Sequence, residues 1–317
     1  MKDLIDFSKP VAALAPLAGF TDLPFRKVVK KFGADLTFSE MISANALIRN
    51  SSKTFRMLKK AQNENPYIVQ IAGSDPEVIK EAVLMLNDME GIAGIDLNCG
   101  CPVAKVVGQN AGSALLKDLP LMQTLIETIK KYSAKRYTSV KTRLGFSEKI
   151  PTQIAKVCEN AGADFITIHG RTRAGGYRAE VDYDAIKEAK ESVSIPVIAN
   201  GDIKDLKTAR FVLKHTGCEG IMIGRGAVGN PWIFYQIKNS IENLQKDKIL
   251  EIVLEHFYSI VEFYGDLGIR IFRKHLHTYS KGLDNASSFR DKINRIDDFK
   301  EVEREIITFF SSSQKDE

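Results

Sequence analysis

Cys101 stands between Gly100 and Pro102, just beyond an apolar run, which makes it a held loop residue and not a core filler. A thiol there could act as nucleophile or as acid. Nothing nearby in sequence resembles an activating Cys–His pair. A thiol at its ordinary value, about 8.5, is mostly protonated at neutral pH and so can serve as an acid. A metal role for Cys99 with Cys101 finds no second Cys or His cluster to complete it. Cys158 and Cys218 read as apolar filler, as does Cys99, which ends a run. His275 and His277 lie two apart and do not face each other on a helix, so they read as surface or packing residues. His215 and His256 read as structural.

A second group of residues suggests an anion site. Gly201 and Gly224 let backbone N–H groups approach an anion, and Arg225 adds charge. Gln70, Lys141 and His169 are donors suited to a polar, electron-accepting ring. A flavin mononucleotide has one phosphate tail and one ring to orient, and it fits. A phosphosugar would fit this much as well.

These residues need a scaffold that gathers them. Short apolar runs rich in β-branched residues recur at 11–19, 36–41, 67–73, 94–99, 139–145, 165–170, 196–201 and 220–224. Amphipathic helical patterns separate them. Asp75-Pro76-Glu77 caps one pattern over 78–89, and Pro151 opens another that ends at Ala161-Gly162. Strands alternating with helices imply parallel pairing through right-handed crossovers, and eight such units predict closure into an α/β fold, a (β/α)8 TIM barrel. An open doubly wound sheet is the competitor, but Ala18-Gly19-Phe20-Thr21-Asp22 does not supply its phosphate-binding fingerprint. In a barrel the chemistry gathers at the C-terminal ends of the strands. Cys101, Gln70, Lys141, His169, Gly201, Gly224 and Arg225 fall at such ends, together with Asn98, Arg143, Arg171, Arg173, Asn200 and Asp202.

After Trp232, expected to pack the last barrel helix, the pattern changes. Residues 239–248 are polar, and only helical patterns follow, at 249–264 and 298–310. The expected division is a catalytic barrel over 1–240 and a small all-helical domain over 241–317. Between 270 and 295 lies a basic band of Arg270, Arg273, Lys274, Lys281, Arg290, Lys292 and Arg295 against Asp284 and Asp291. Acidic flanks follow, including Asp297, Asp298, Glu301, Glu303 and Glu305, so the band is local, as a phosphate-contacting face would be.

With 317 residues, a net charge of +5 and a pI near 8.8, the chain permits a nucleic-acid partner without demanding one. Four cysteines form no disulfide framework, the first ten residues do not read as a signal peptide, and no apolar stretch is long enough to span a membrane. A reducing cytoplasm is the expected compartment. The tail at 311–317 alone is disorder-like.

Two long segments resemble the tRNA-dihydrouridine synthase family: Ala15-Pro16-Leu17-Ala18-Gly19-Phe20-Thr21-Asp22-Leu23-Pro24-Phe25-Arg26, and Gly94-Ile95-Asp96-Leu97-Asn98-Cys99-Gly100-Cys101-Pro102-Val103-Ala104-Lys105-Val106. Gly112-Ser113-Ala114-Leu115-Leu116, Lys141-Thr142-Arg143, His169-Gly170-Arg171-Thr172-Arg173, Asn200-Gly201-Asp202 and Gly224-Arg225-Gly226 follow in family order. Arg273-Lys274-His275-Leu276 with Tyr279-Ser280-Lys281-Gly282 looks like a bacterial B-type member.

The resemblance implies an FMN barrel with a helical tRNA-binding domain, with NADPH (or NADH) as reductant. It would reduce uridine in the D-loop of tRNA to dihydrouridine. Cys101 matches the acid that protonates C5 of the uracil. Pro16, Leu17, Ala18, Gln70, Lys141 and His169 match positions that hold FMN, as do Asn200, Gly201, Asp202, Gly224 and Arg225. Leu17, and often Cys99, stands where most homologues carry Met. Asn98 matches a position near the flavin and the target base, and Lys105 and Arg173 match positions where the nucleic acid passes. Arg143, Arg171, Arg273 and Lys274 join them as expected substrate contacts. The expected partner is tRNA, with no membrane and no obligatory protein partner. Two other readings compete: an FMN barrel acting on a free small pyrimidine, and a non-catalytic tRNA-binding or folding role.

Overall fold

The computed structural model describes residues 4–312. Residues 313–317, most of the tail read as disorder-like, lie outside them. Nine strands form one parallel sheet: β1 (Val11–Leu14), β2 (Thr37–Phe38), β3 (Ile42–Ser43), β4 (Tyr67–Ala72), β5 (Gly94–Asn98), β6 (Tyr137–Arg143), β7 (Phe165–His169), β8 (Val197–Asn200) and β9 (Gly220–Ile223). The order runs β1-β9-β8-β7-β6-β5-β4-β2, and a bridge between Ala13 and Leu36 returns β2 to β1. The sheet therefore closes into the expected (β/α)8 barrel.

The ninth segment comes from a break in the second stave. β2 pairs Thr37 with Tyr67 and β3 pairs Ile42 with Ile71, both on β4. Polar side chains fill the gap between them. Ser39 Oγ accepts from the Gln70 backbone N–H at 2.9 Å, and Glu40 Oε1 accepts from Gly19 N at 2.5 Å.

Apart from the short β3, both faces of these strands are largely buried, which is why they read as continuous apolar runs and not as alternating ones. Alternation still decides direction. On one face Phe38, Ile68, Phe165, Ile198 and Met222 share an apolar cluster. Gln70 follows Ile68 on that same face, Asn98 follows Asp96, Lys141 follows Ser139, His169 follows Thr167, and Asn200 follows Ile198. The interior is thus apolar toward the strand starts and polar toward the strand ends. The opposite face, with Val69, Ile71, Leu97, Val140 and Ile166, packs under the helices.

The helices obey their local signals. Asp75 caps the helix Pro76–Asn87 by accepting from Glu77 N and Val78 N. The helix Pro151–Asn160 ends before Gly162, which adopts φ +85°. Beyond the barrel, helices Lys246–Tyr264, Leu267–Tyr279, Ala286–Ile293 and Phe299–Ser312 bury their own apolar cluster around Phe257, Phe272, Ile293 and Ile306. Trp232 caps the helix Ile233–Asn239, but its ring stacks on Tyr279 at 6.2 Å and packs against the C-terminal cluster. The barrel helix Leu23–Lys31 carries the junction. Its Lys31 pairs with Glu255 at 2.6 Å, and Phe25 packs 5.4 Å from the His256 ring and 5.7 Å from the His275 ring. No described helix is long and apolar enough to cross a membrane.

Candidate active site

The strand ends surround a cavity of about 670 Å³, inside the usual range for a cofactor site. Pro16, Leu17, Ala18, Gln70, Asn98, Cys101, Lys141, Arg143, His169, Asn200, Gly201, Asp202, Gly224 and Arg225 all line it. Met41, Tyr177, Lys204 and Met222 line it too, although the sequence assigned none of them a role.

Each end of the cavity has its own chemistry. At the β8–β9 end, Arg171 grips Asp202 with two nitrogens, at 3.1 and 2.5 Å, and Arg225 reaches the same carboxylate at 2.8 Å. Two guanidinium groups thus share one carboxylate, whose pKa they lower chiefly through the Arg171 hydrogen bonds. The surplus is positive, and Lys204 adds to it. The backbone here is tight. Gly201 takes φ +133°, and a Cβ on Gly226 would fall 2.2 Å from the Ile203 carbonyl oxygen. This end suits an anion held against glycine-rich backbone.

The middle of the cavity offers donors. Lys141 Nζ donates to Asn200 Oδ1 at 3.3 Å, and Asn200 donates onward to the Met222 carbonyl at 2.7 Å. Burial, with Arg143 nearby, lowers the Lys141 ammonium to about 8. At pH 7 it still carries its charge. His169 is pushed down to about 2, first by burial and then by Lys141, Arg143 and Arg171. Its ring is therefore neutral. Arg143 Nη1 approaches His169 Nδ1 at 3.5 Å, which assigns Nδ1 as acceptor and leaves the proton on Nε2. A flavin fits this donor set: cationic surplus for its phosphate, Lys141 and a neutral His169 N–H for its ring.

Cys101 is half-buried at the cavity wall, whereas Cys99, Cys158 and Cys218 are all buried. Burial pushes the three buried thiols up, Cys218 to about 11. The Cys101 loop is fastened from two sides. Asn98 Oδ1 accepts from Gly100 N at 3.1 Å and from Cys101 N at 2.9 Å. Arg143 Nε donates to the Gly100 carbonyl at 2.7 Å and Nη1 to the Thr172 carbonyl at 3.2 Å. Arg143 thus braces two loops while lining the cavity.

Beneath Asn98 lies Asp96, fully buried, which carried no role in the sequence reading. Burial pushes its carboxyl up to about 6, against hydrogen bonds from Ser139 and Gln70 and the nearby Lys141 ammonium. Tyr177 lines the cavity as well. Arg225 stacks over its ring at 4.4 Å, and Arg143 lies 5.9 Å from the ring centre. Asp96 could have been found from strand alternation, since it shares a face with Asn98. Tyr177 lies in the loop that follows His169-Gly170-Arg171-Thr172-Arg173, beside Gly175-Gly176, with no signal of its own.

Of the expected substrate contacts, Asn98 and Arg143 line the cavity, whereas Lys105, Arg171, Arg173, Arg273 and Lys274 lie outside its lining. Arg171 is buried, and its Nε donates to the Ala179 carbonyl at 2.5 Å, so it stands behind the rim as the partner of Asp202. Lys105 is exposed on the short helix Ala104–Val107, and Arg173 lies over Phe146 at 5.0 Å. Lys274 donates to the Gly19 carbonyl, in the first barrel loop, and lies over Phe20. The basic band is partly neutralised by its own acidic flank. Asp297 accepts from Arg270 at 3.0 Å and from Arg273 at 2.7 Å, and Lys292 pairs with Glu305 at 2.7 Å.

The family model described as dihydrouridine synthase matches residues 13–314. A probable tRNA-dihydrouridine synthase of Helicobacter pylori is 48% identical over 299 residues, covering 94% of this chain and 91% of that protein. The tRNA-dihydrouridine synthase B of Vibrio parahaemolyticus is 42% identical over 296 residues, covering 90% of each. Among solved structures, the old yellow enzyme homologue of Zymomonas mobilis superposes with a TM-score of 0.54 at 13% identity, covering 75% of this chain and 90% of that one. That likeness speaks to the barrel fold alone.

Proposed function

The chain belongs to the dihydrouridine synthase family, and on that footing we propose that it reduces uridine in the D-loop of tRNA to 5,6-dihydrouridine. FMN would sit in the barrel mouth, NADPH (or NADH) would supply the electrons, and Cys101 would be the proton donor to C5. The observation that carries this reading is that the half-buried Cys101 lines the same cavity as Lys141, His169, Asp202 and Arg225.

When bound, the flavin supplies the hydride that adds to C6 of the uracil. The protein's own residues do the rest. Arg225 and the glycine-rich backbone of Gly201 and Gly226 receive the phosphate, with Arg171 fixing Asp202 behind them. Lys141 and the Nε2 proton of His169 orient the ring and remain donors at neutral pH. Cys101 Sγ gives its proton to C5, and the loop bonds from Asn98 and Arg143 hold that sulfur in place. The uracil must leave its stack to reach the cavity, at a cost of a few kcal/mol. Contacts between the rest of the tRNA and cations such as Lys105 and Arg173 would offset that cost.

Cys101→Ala tests the assignment. The rate of base reduction should fall about 10²–10⁴-fold, the usual contribution of a positioned acid, while oxidation of NADPH by the same protein stays near normal. Equal loss in both half-reactions would refute the role of Cys101. Turnover of free uridine at the rate of tRNA would refute the macromolecular substrate.

A further inference from the structure

The Cys101 loop is tied to a buried carboxylate through two amides. Asp96 Oδ1 accepts from Ser139 Oγ at 2.6 Å, and Oδ2 accepts from Gln70 Nε2 at 2.8 Å. Gln70 Oε1 then accepts from Asn98 Nδ2 at 2.8 Å. Asn98 Oδ1 in turn accepts the backbone N–H groups of Gly100 and Cys101. Asp96, Gln70 and Ser139 are fully buried, and Asn98 is 7% exposed. Water competes little for these bonds.

We infer that Asp96 is a positioning residue for the Cys101 loop, acting by fixing which way two buried amides point. The inference rests on the proposed role of Cys101 and extends it. The two ends of a carboxamide are nearly alike in shape but opposite in hydrogen bonding. Gln70 and Asn98 could each sit either way round if nothing chose between them. An ionised carboxylate only accepts, so Gln70 must turn its NH₂ toward Asp96. That leaves the Gln70 oxygen toward Asn98, so Asn98 must offer its NH₂ there. Only then does the Asn98 oxygen face Gly100 N and Cys101 N.

Turning both amides over would set oxygen against oxygen at Asp96 and N–H against two N–H groups at the loop. A buried carboxylate is a costly way to satisfy one serine and one amide, since neutral groups would serve both. Its distinguishing property is that it removes the second orientation. Ser139, which can both donate and accept, could not do this alone.

The test compares Asp96→Asn with the wild-type enzyme, because asparagine keeps the shape and gives up the one-way hydrogen bonding. Cys101 alkylation by iodoacetamide reads the loop directly, since the other three cysteines are buried. Stopped-flow reoxidation of the pre-reduced enzyme by unmodified tRNA reads base reduction, and NADPH consumption serves as the control. Alkylation should rise about fivefold and the tRNA step should slow about tenfold, as expected when a charge-assisted hydrogen bond is weakened. The NADPH step should stay within about twofold. In an Asn98→Ala background, where the loop is already cut from the relay, Asp96→Asn should add nothing further.

Unchanged alkylation in Asp96→Asn would overturn the inference, and so would a full additional effect in the Asn98→Ala background. If Asp96→Asn loses its flavin, alkylation of flavin-free wild type and variant decides in the same way. Should Cys101 not be the acid, Cys101→Ala would leave the tRNA step intact. The alkylation rate would still follow Asp96, so the two failures are distinct.

Discussion

His275 should make the junction between barrel and C-terminal helices acid-labile, and His275→Leu should relieve it. The ring is fully buried, 4.5 Å from the His256 ring and stacked on Phe25, and neither of its nitrogens has a hydrogen-bond partner among the described residues. Burial, then His256 and Lys274, holds its pKa well below the usual histidine value. In the folded protein the ring stays neutral between pH 7 and 5. In the unfolded chain it takes up a proton below about 6.5. Stability is therefore lost as pH falls below 6.5, by about 1.4 kcal/mol per pH unit once well below it. Between pH 7 and pH 5 the loss from this one residue is about 2 kcal/mol.

His275→Leu removes that titration along with two unpartnered nitrogens, so at pH 7 the variant should match or exceed wild type. At pH 5 its advantage should be larger by about 2 kcal/mol. Urea unfolding of both proteins at both pH values measures this difference. Groups such as Asp22 and Asp96, both pushed up to about 6 by burial, titrate alike in the two proteins and cancel. A stability difference that is the same at pH 7 and pH 5 would refute the reasoning, because it would mean that the native fold accepts the proton on His275.

Glu64→Ala should destabilise the protein by about 3–5 kcal/mol, seen as a large drop in thermal midpoint, because it strands the buried Arg26 guanidinium now bonded to Glu64 at 2.7 Å. Gly226→Ala should leave the fold intact but weaken FMN binding at least about tenfold by fluorescence titration, since the new Cβ must displace the Ile203 backbone at the anion end. Asp297→Asn should tighten tRNA binding at low salt and steepen its salt dependence, because it releases Arg270 and Arg273. An unchanged salt slope would take these arginines out of the nucleic-acid path.

What the sequence made legible and what it hid follow from one distinction. Strand ends announce themselves: Gly100-Cys101-Pro102 or Asn200-Gly201-Asp202 follows an apolar run, and the barrel brings every such end to one rim. The cavity could therefore be composed from local segments. The split of the second stave was hidden because Ser39 supplies a ladder bond from its side chain, which no periodicity encodes. The helical region was misjudged in a similar way. The band from 270 to 295 looked clear of its acidic flank in sequence, yet the chain turns back and sets Asp297 against Arg270 and Arg273. Charge contrast along a chain is evidence about a surface only where neighbours in sequence are also neighbours in space.

The same distinction explains why Asp96 escaped notice while Cys101 did not. The residue proposed to meet substrate sits in a loop with its own signature, whereas the one proposed to orient it is part of a strand and looks like core. Asp96 is five positions before Cys101 but reaches it by leaving the strand for Gln70 on β4 and returning through Asn98 on β5. Two staves are needed to specify one loop. The site therefore tolerates exchange of its apolar lining more readily than exchange of its inward polar layer. Apolar lining is selected by volume, so a longer side chain at Leu17 should serve as well. A buried polar layer is selected by the direction of every hydrogen bond, and one reversed amide leaves two N–H groups without acceptors.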